Sequence, residues 1–142
     1  MPNYHSTFFS LTLADGWSGD RDEEGLHTFQ GPDRTGALQV SAYRGPKAVT
    51  DSALLELTGL DQEEQRHLGR VTCGDFSGYQ LVYAVEDTFW RKLWVSADAI
   101  LLFISYNCTH SEMESEREVV NQIIASIRKS TVQPGASAKR GR

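Results

Sequence analysis

The alternation of bulky and small or polar positions is clearest between residues 76 and 108, FSGYQLVYAVEDTFWRKLWVSADAILLFISYNC. From Tyr79 to Glu86 the odd positions hold Tyr79, Leu81, Tyr83 and Val85, and the even ones Gln80, Val82, Ala84 and Glu86. Successive side chains of a strand point to opposite faces, so this period of two predicts a strand with its bulky row against a core. Only Asp87 and Thr88 separate it from a second predicted strand, Phe89 to Ala97, an interval short enough for a tight hairpin. In that second strand Trp90, Lys92, Trp94 and Ser96 share one face, and Leu93, Val95 and Ala97 share the other. The third run, Ala99 to Tyr106, is apolar at nearly every position and rich in β-favouring side chains, the pattern of a central strand covered on both faces.

The flanking segments read as cover for this meander. Thr7 to Leu13 sets Phe9, Leu11 and Leu13 against Phe8, Ser10 and Thr12, a first strand that stops at Ala14-Asp15-Gly16 with Trp17 folding back over the core. Ser18 to Gly25, SGDRDEEG, shows no apolar alternation and is expected to be an exposed acidic loop. Leu26 to Gln30 and Ala37 to Arg44 are further strands, the second with Leu38, Val40 and Ala42 on one face. A helix follows, with Thr50 as N-cap, Asp51 at the positive end of its dipole and Leu54, Leu55 and Leu57 on its apolar side. Asp61 to Leu68 is a mostly polar helical piece for the surface, and Arg70 to Cys73 a short strand turning at Gly74-Asp75. After the meander, Ser111 and Glu114 have capping-box spacing, and Met113, Val119, Val120, Ile123, Ile124 and Ile127 form a helical apolar stripe. Runs of strands with occasional helices predict an α+β chain, a mostly antiparallel β-sheet of about six to seven strands with helices packed on its faces.

Length and charge narrow the picture. The 142 residues suit a single α+β domain over residues 1–130, followed by a disordered tail at 131–142 rich in Gly, Ser and Ala. Before the tail, 11 Lys and Arg face 19 Asp and Glu, a net of −8, whereas Lys139, Arg140 and Arg142 add +3. An acidic body lacks the clustered cations of a nucleic-acid surface. No apolar run reaches the roughly 20 residues of a membrane span, and the N-terminus has no basic segment leading into an apolar one, so the expected location is cytoplasmic, with no membrane partner. Cys73 and Cys108 are then free thiols by default, although a disulfide stays open if their strands are neighbours.

The candidate chemistries are thin. Asp20, Asp22, Glu24 and Gly25 imitate the start of a calcium loop, but the twelfth position is Gly31 rather than a bidentate Glu. Cys108, His110 and Cys73 fall short of the four ligands of a structural zinc site, so no metal is assigned. GDFSGY, Gly74 to Tyr79, lacks the hydrolase elbow spacing, the four histidines are scattered, and no phosphate loop or dinucleotide fingerprint occurs. Neither catalytic residues nor cofactors follow, and the chain reads as a non-enzyme.

Three stretches carry a family likeness: FSLTLADGW at Phe9 to Trp17, WRKLWVSADAILLFISYNC at Trp90 to Cys108, and VVNQIIASIR at Val119 to Arg128. With the element order, they make residues 7–130 resemble the Mog1/PsbP-like fold, as found in small bacterial proteins of uncharacterised function. The resemblance implies a non-catalytic binder and brings no functional residue to a position here. The leading expectation is a protein-binding domain, immunity-like or adaptor, since a compact acidic body can mask a basic partner. Its interface candidates are Trp90, Lys92 and Trp94, aromatic anchors around a cation. A second reading is a small-ligand binder or enzyme with a pocket between sheet and helix, lined by Tyr43, Tyr83 and Tyr106 together with Trp90. A third is a self-associating subunit, a homo-oligomer through an edge strand or the tryptophan patch.

Overall fold

The computed structural model describes residues 2–130. Two antiparallel sheets form its frame. The larger has seven strands in the order β3-β4-β5-β9-β8-β7-β6, where β3 is Ser18–Arg21, β4 His27–Gln30, β5 Gly36–Arg44, β6 Gly69–Cys73, β7 Phe76–Val85, β8 Thr88–Ala97 and β9 Ile100–Thr109. The smaller holds β1 (Asn3–His5), β2 (Phe9–Thr12) and β10 (Arg128–Lys129) in the order β1-β2-β10. Helices α1 (Asp51–Leu57), α2 (Gln62–Gln65) and α3 (Arg117–Ala125) complete the α+β layout that the pattern predicts. The apolar run expected at the centre of the sheet is β9, fourth of the seven strands.

The core lies on one face of the large sheet. Leu38 and Val40 of β5, Leu102 and Ile104 of β9, and Leu93 and Val95 of β8 are buried there in register. Phe9, Leu11 and Leu13 join the same cluster from the segment around β2, Trp17 folds over it, and Val120, Ile123, Ile124 and Ile127 enter from α3 and the residues after it. The stripe at helical spacing therefore performs the packing that its sequence predicts.

Three two-residue hairpins build β6 to β9, and each begins with a left-handed residue: Gly74 (φ 63°), Glu86 (φ 55°) and Asp98 (φ 54°). The Gly74 turn also meets the C-terminal segment. Asp75 N–H donates to the Ile127 carbonyl at 3.0 Å, and a Cβ at Gly74 would lie 1.8 Å from that oxygen, so glycine is required there. Asp98 forms an ion pair with Lys129, tying a second turn to β10.

Several expectations are corrected. Ser18 to Arg21 is strand β3 rather than part of a loop; its side chains are mostly exposed, so no alternation marks it, and the sheet is specified instead by Gly19, which leaves room for Phe29 and Tyr4. The loop residue Asp22 accepts from Glu24 N–H and Leu26 N–H, both at 2.9 Å, so it closes a turn rather than opening a calcium loop. Ser111 is not a helix cap: His110–Glu112 is a single 3-10 turn, and α3 starts at Arg117 without a side-chain cap. Glu116, before α3, accepts instead from the Tyr106 hydroxyl at 2.7 Å. Met113 lies outside α3 and packs against the core from the preceding turn. The predicted helix at 61–68 shortens to α2, held by a capping box between Asp61 and Glu64. The predicted tail, 131–142, lies outside the described residues.

Candidate functional site

The bulky row of β7 does not face the core. Tyr79 pairs with Trp94, Leu81 with Lys92 and Tyr83 with Trp90, which puts all six on the face opposite Leu93 and Val95. The reason is register: residues opposite each other across a ladder share a face, so the phase of β8, whose core row is Leu93 and Val95, sets the phase of β7. The alternation along β7 is real, but its larger side chains belong to the outer face.

On that outer face α1 covers one end. Thr50 caps the helix by accepting from Ala53 N–H at 3.1 Å. Asp51 then accepts from Arg70 Nη1 at 2.8 Å and from the Tyr79 hydroxyl, which anchors α1 over β6 and β7. Those two hydrogen bonds, Tyr79 first, hold the Asp51 carboxyl below its ordinary range. Leu54 is buried beneath the helix. Trp94 is 8% exposed, its ring tilted against Phe103 at 5.5 Å between centroids.

Further along the same face the side chains are partly accessible among the described residues. Trp90 and Tyr83 stack at 6.5 Å with 13° between their planes, and the Lys92 ammonium lies 5.3 Å from the Trp90 ring and 5.4 Å from the Tyr83 ring. Lys92, Trp90, Tyr83, Leu81 and Phe103 are all half-buried. Lys92 forms no ion pair among the described residues, so the two rings are its only close electrostatic partners there. The structure thus divides the sequence candidates: Trp94 is enclosed, whereas Trp90 and Lys92 stand at the open part of the face. Tyr83, proposed from sequence as pocket lining, joins them, and Tyr43 is 57% exposed on the same side near the end of β5.

A cavity of about 390 Å³ lies on the opposite face, between the sheet and the start of α3. Val82, Arg91 and Tyr106 stand in register across β7, β8 and β9 at its floor, with Gln80 and Phe89 beside them. Met113, Glu114, Arg117, Val120 and Asn121 form the helix side. Of the three tyrosines named for such a pocket, Tyr106 lines it; Tyr43 and Tyr83 do not, because their positions in β5 and β7 point them to the outer face. Arg91 was missed from sequence, since a lone Arg in a strand reads as a surface residue.

The thiols have no shared site. Cys73 on edge strand β6 and Cys108 on β9 are separated by β7 and β8, so they are not neighbours, and both are free and buried. Burial pushes the Cys73 thiol up to about 11, with the charge of Arg91 opposing. Burial likewise raises Cys108. Thiols so shifted are protonated at neutral pH and are poor nucleophiles and ligands. No group of three His, Cys, Asp or Glu that would hold a metal occurs among the described residues.

No family model matches the chain, and no curated protein matches it. Solved structures do. A protein of Bacteroides thetaiotaomicron is similar over 94% of this chain at 20% identity with a TM-score of 0.70; this chain spans about half, 49%, of that one. LpqN of Mycobacterium tuberculosis, a protein involved in cell envelope biogenesis, is similar over 86% of this chain and 83% of its own at 14% identity, with a TM-score of 0.54. The cyanobacterial PsbP of Synechocystis matches 91% of this chain and 92% of its own at 10% identity, with a TM-score of 0.46. At such identities likeness shows the fold alone. The chain shares its α+β fold with the Bacteroides protein and with LpqN. Among the described residues no helix is long and apolar enough to cross a membrane.

Proposed function

We propose that this chain is a non-enzymatic protein-binding domain that docks its partner on the open part of the outer sheet face, with Trp90 and Tyr83 as anchors and Lys92 at their centre. The observation that carries this reading is Lys92 itself. A lysine half-buried over two aromatic rings, with no carboxylate beside it among the described residues, is a cation held ready for an incoming acid. Rigid aromatic side chains around a fixed charge are the usual anchors of an interface. The partner that fits is a protein segment presenting a carboxylate flanked by apolar side chains: the acid pairs with Lys92, and the apolar groups cover Trp90, Tyr83 and Leu81. An adaptor role suits this surface better than masking of a basic toxin, because the charge at its centre, Lys92, is a cation.

The test is affinity capture compared across variants. Proteins retained by the wild-type chain should be lost, by at least tenfold in yield, with Trp90→Ala and with Lys92→Glu, and kept with Val82→Ser on the opposite face. Unchanged melting of each variant separates loss of binding from loss of fold. Identical capture by all four chains would remove the outer face from consideration.

A further inference from the structure

We infer that the cavity between the large sheet and α3 is a binding site for a small monocarboxylate with an apolar body, its carboxylate held by Arg91. The site lies on the face opposite Lys92 and does not depend on the docking reading above.

Arg91 is half-buried at the cavity floor. Its Nε–H donates to Gln80 Oε1 at 3.1 Å and its Nη1 to Asn121 Oδ1 at 2.6 Å, so an amide from β7 and an amide from α3 hold the guanidinium in one orientation. A guanidinium carries five N–H donors, and the remaining ones, including both on Nη2, meet no acceptor among the described residues. Amide oxygens satisfy hydrogen bonds without neutralising charge. The α3 charge that acts on it, Arg117, has the same sign and is itself paired with Glu114 at 3.3 Å on the surface. Burial accordingly makes Arg91 give up its proton more easily than an exposed arginine; Cys73 opposes that shift and Arg117 adds to it. A partly desolvated cation without an anion is costly, and an incoming carboxylate offsets that cost with a charge-assisted, planar pair of hydrogen bonds.

The rest of the wall selects what the carboxylate is attached to. Val82, Phe89, Met113 and Val120 give the cavity an apolar side. A volume of about 390 Å³ lies within the range of small-molecule sites. One unpaired cation matches a single negative charge, and an apolar wall rejects the further charges of a phosphate ester. An aliphatic or aromatic monocarboxylate satisfies both demands.

The experiment is an NMR titration of the whole chain, following backbone amides and the arginine Nε–H signals, with sodium octanoate as probe and octan-1-ol and acetate as comparisons. Octanoate is expected to shift the Arg91 Nε–H and the amides of Val120 and Asn121 saturably, at least tenfold more tightly than either comparison. Arg91→Gln should weaken octanoate at least tenfold and leave octan-1-ol unchanged, and Val120→Trp, which fills the cavity, should abolish both. Non-saturating shifts, equal affinity for octanoate and octan-1-ol, or undiminished octanoate binding by either variant would overturn the proposal.

Discussion

At the residue scale, His27 shows how a buried polar group joins the two sheets and makes stability depend on pH. It is 5% exposed on β4, with its Nδ1 2.7 Å from the Tyr4 hydroxyl of β1 and its ring edge-on to Phe9 of β2 at 5.1 Å. Burial lowers its pKa, the charge of Arg21 lowers it further, and Asp22 opposes. The folded state therefore binds the imidazole proton less readily than the unfolded chain. The stability that neutral His27 contributes is complete above the ordinary histidine value of about 6.5 and is lost as pH falls from there towards the depressed folded value, with a slope of up to about 1.4 kcal/mol per pH unit. In urea unfolding between pH 7.5 and 5, the wild type should lose stability on acidification. His27→Gln should show a flatter profile, and equal slopes in the two chains would place the acid sensitivity elsewhere.

At the scale of elements, the hairpin between β7 and β8 contains an unused margin. Glu86 holds φ 55° at the first position of a two-residue turn and is exposed, with its pair of flanking residues, Val85 and Thr88, in register. A side chain in the left-handed region costs roughly 1–2 kcal/mol, part of which glycine gives back as unfolded-state entropy. Glu86→Gly should therefore stabilise the chain by about 0.5–1 kcal/mol in chemical denaturation, and a loss of stability would mean that the Glu86 side chain has a role its exposure does not suggest. The same hairpin shows what the sequence discloses and what it hides. The pattern predicts the strands themselves, the Thr50 cap, the central place of β9 and the core rows Phe9-Leu11-Leu13 and Leu38-Val40-Ala42, because each is a local signal of period or capping. It places the turn one residue late, since neither Glu86-Asp87 nor Asp87-Thr88 carries the glycine that marks such turns. It cannot tell which row of β7 faces inward, because that is decided by the neighbouring strand. β1 and β10, of three and two residues, are too short for any period to show and exist through their pairing with β2.

At the scale of the whole molecule the chain presents two unlike faces, and the sequence reads them unequally. Trp90 and Lys92 are legible because strand parity alone puts them side by side. The cavity is not, because it needs Arg91 of β8, Gln80 of β7 and Asn121 of α3 together, and nothing local in their spacing relates them. The layout also bears on self-association, the third reading of the sequence. Unpaired edges invite a second copy, yet the edges here are short: β3 has four residues and carries Asp20 and Arg21, and β6 has five and carries Arg70. Short, charged edges resist strand addition; β6 ends opposite Gln80, so residues 81–85 of β7 run past it as a further edge, and besides that stretch the route left to a dimer is the aromatic patch. That route is opposed by charge, since a two-fold contact centred on the patch would bring Lys92 close to its own copy without an acid between them. The chain should accordingly have the 15.9 kDa mass of a monomer in light scattering at micromolar concentration. A doubled mass that collapses to the monomer in Trp90→Ala would show that the face proposed for a foreign acidic segment is instead closed by a second copy, whereas a doubled mass unaffected by that change would direct attention to the edges.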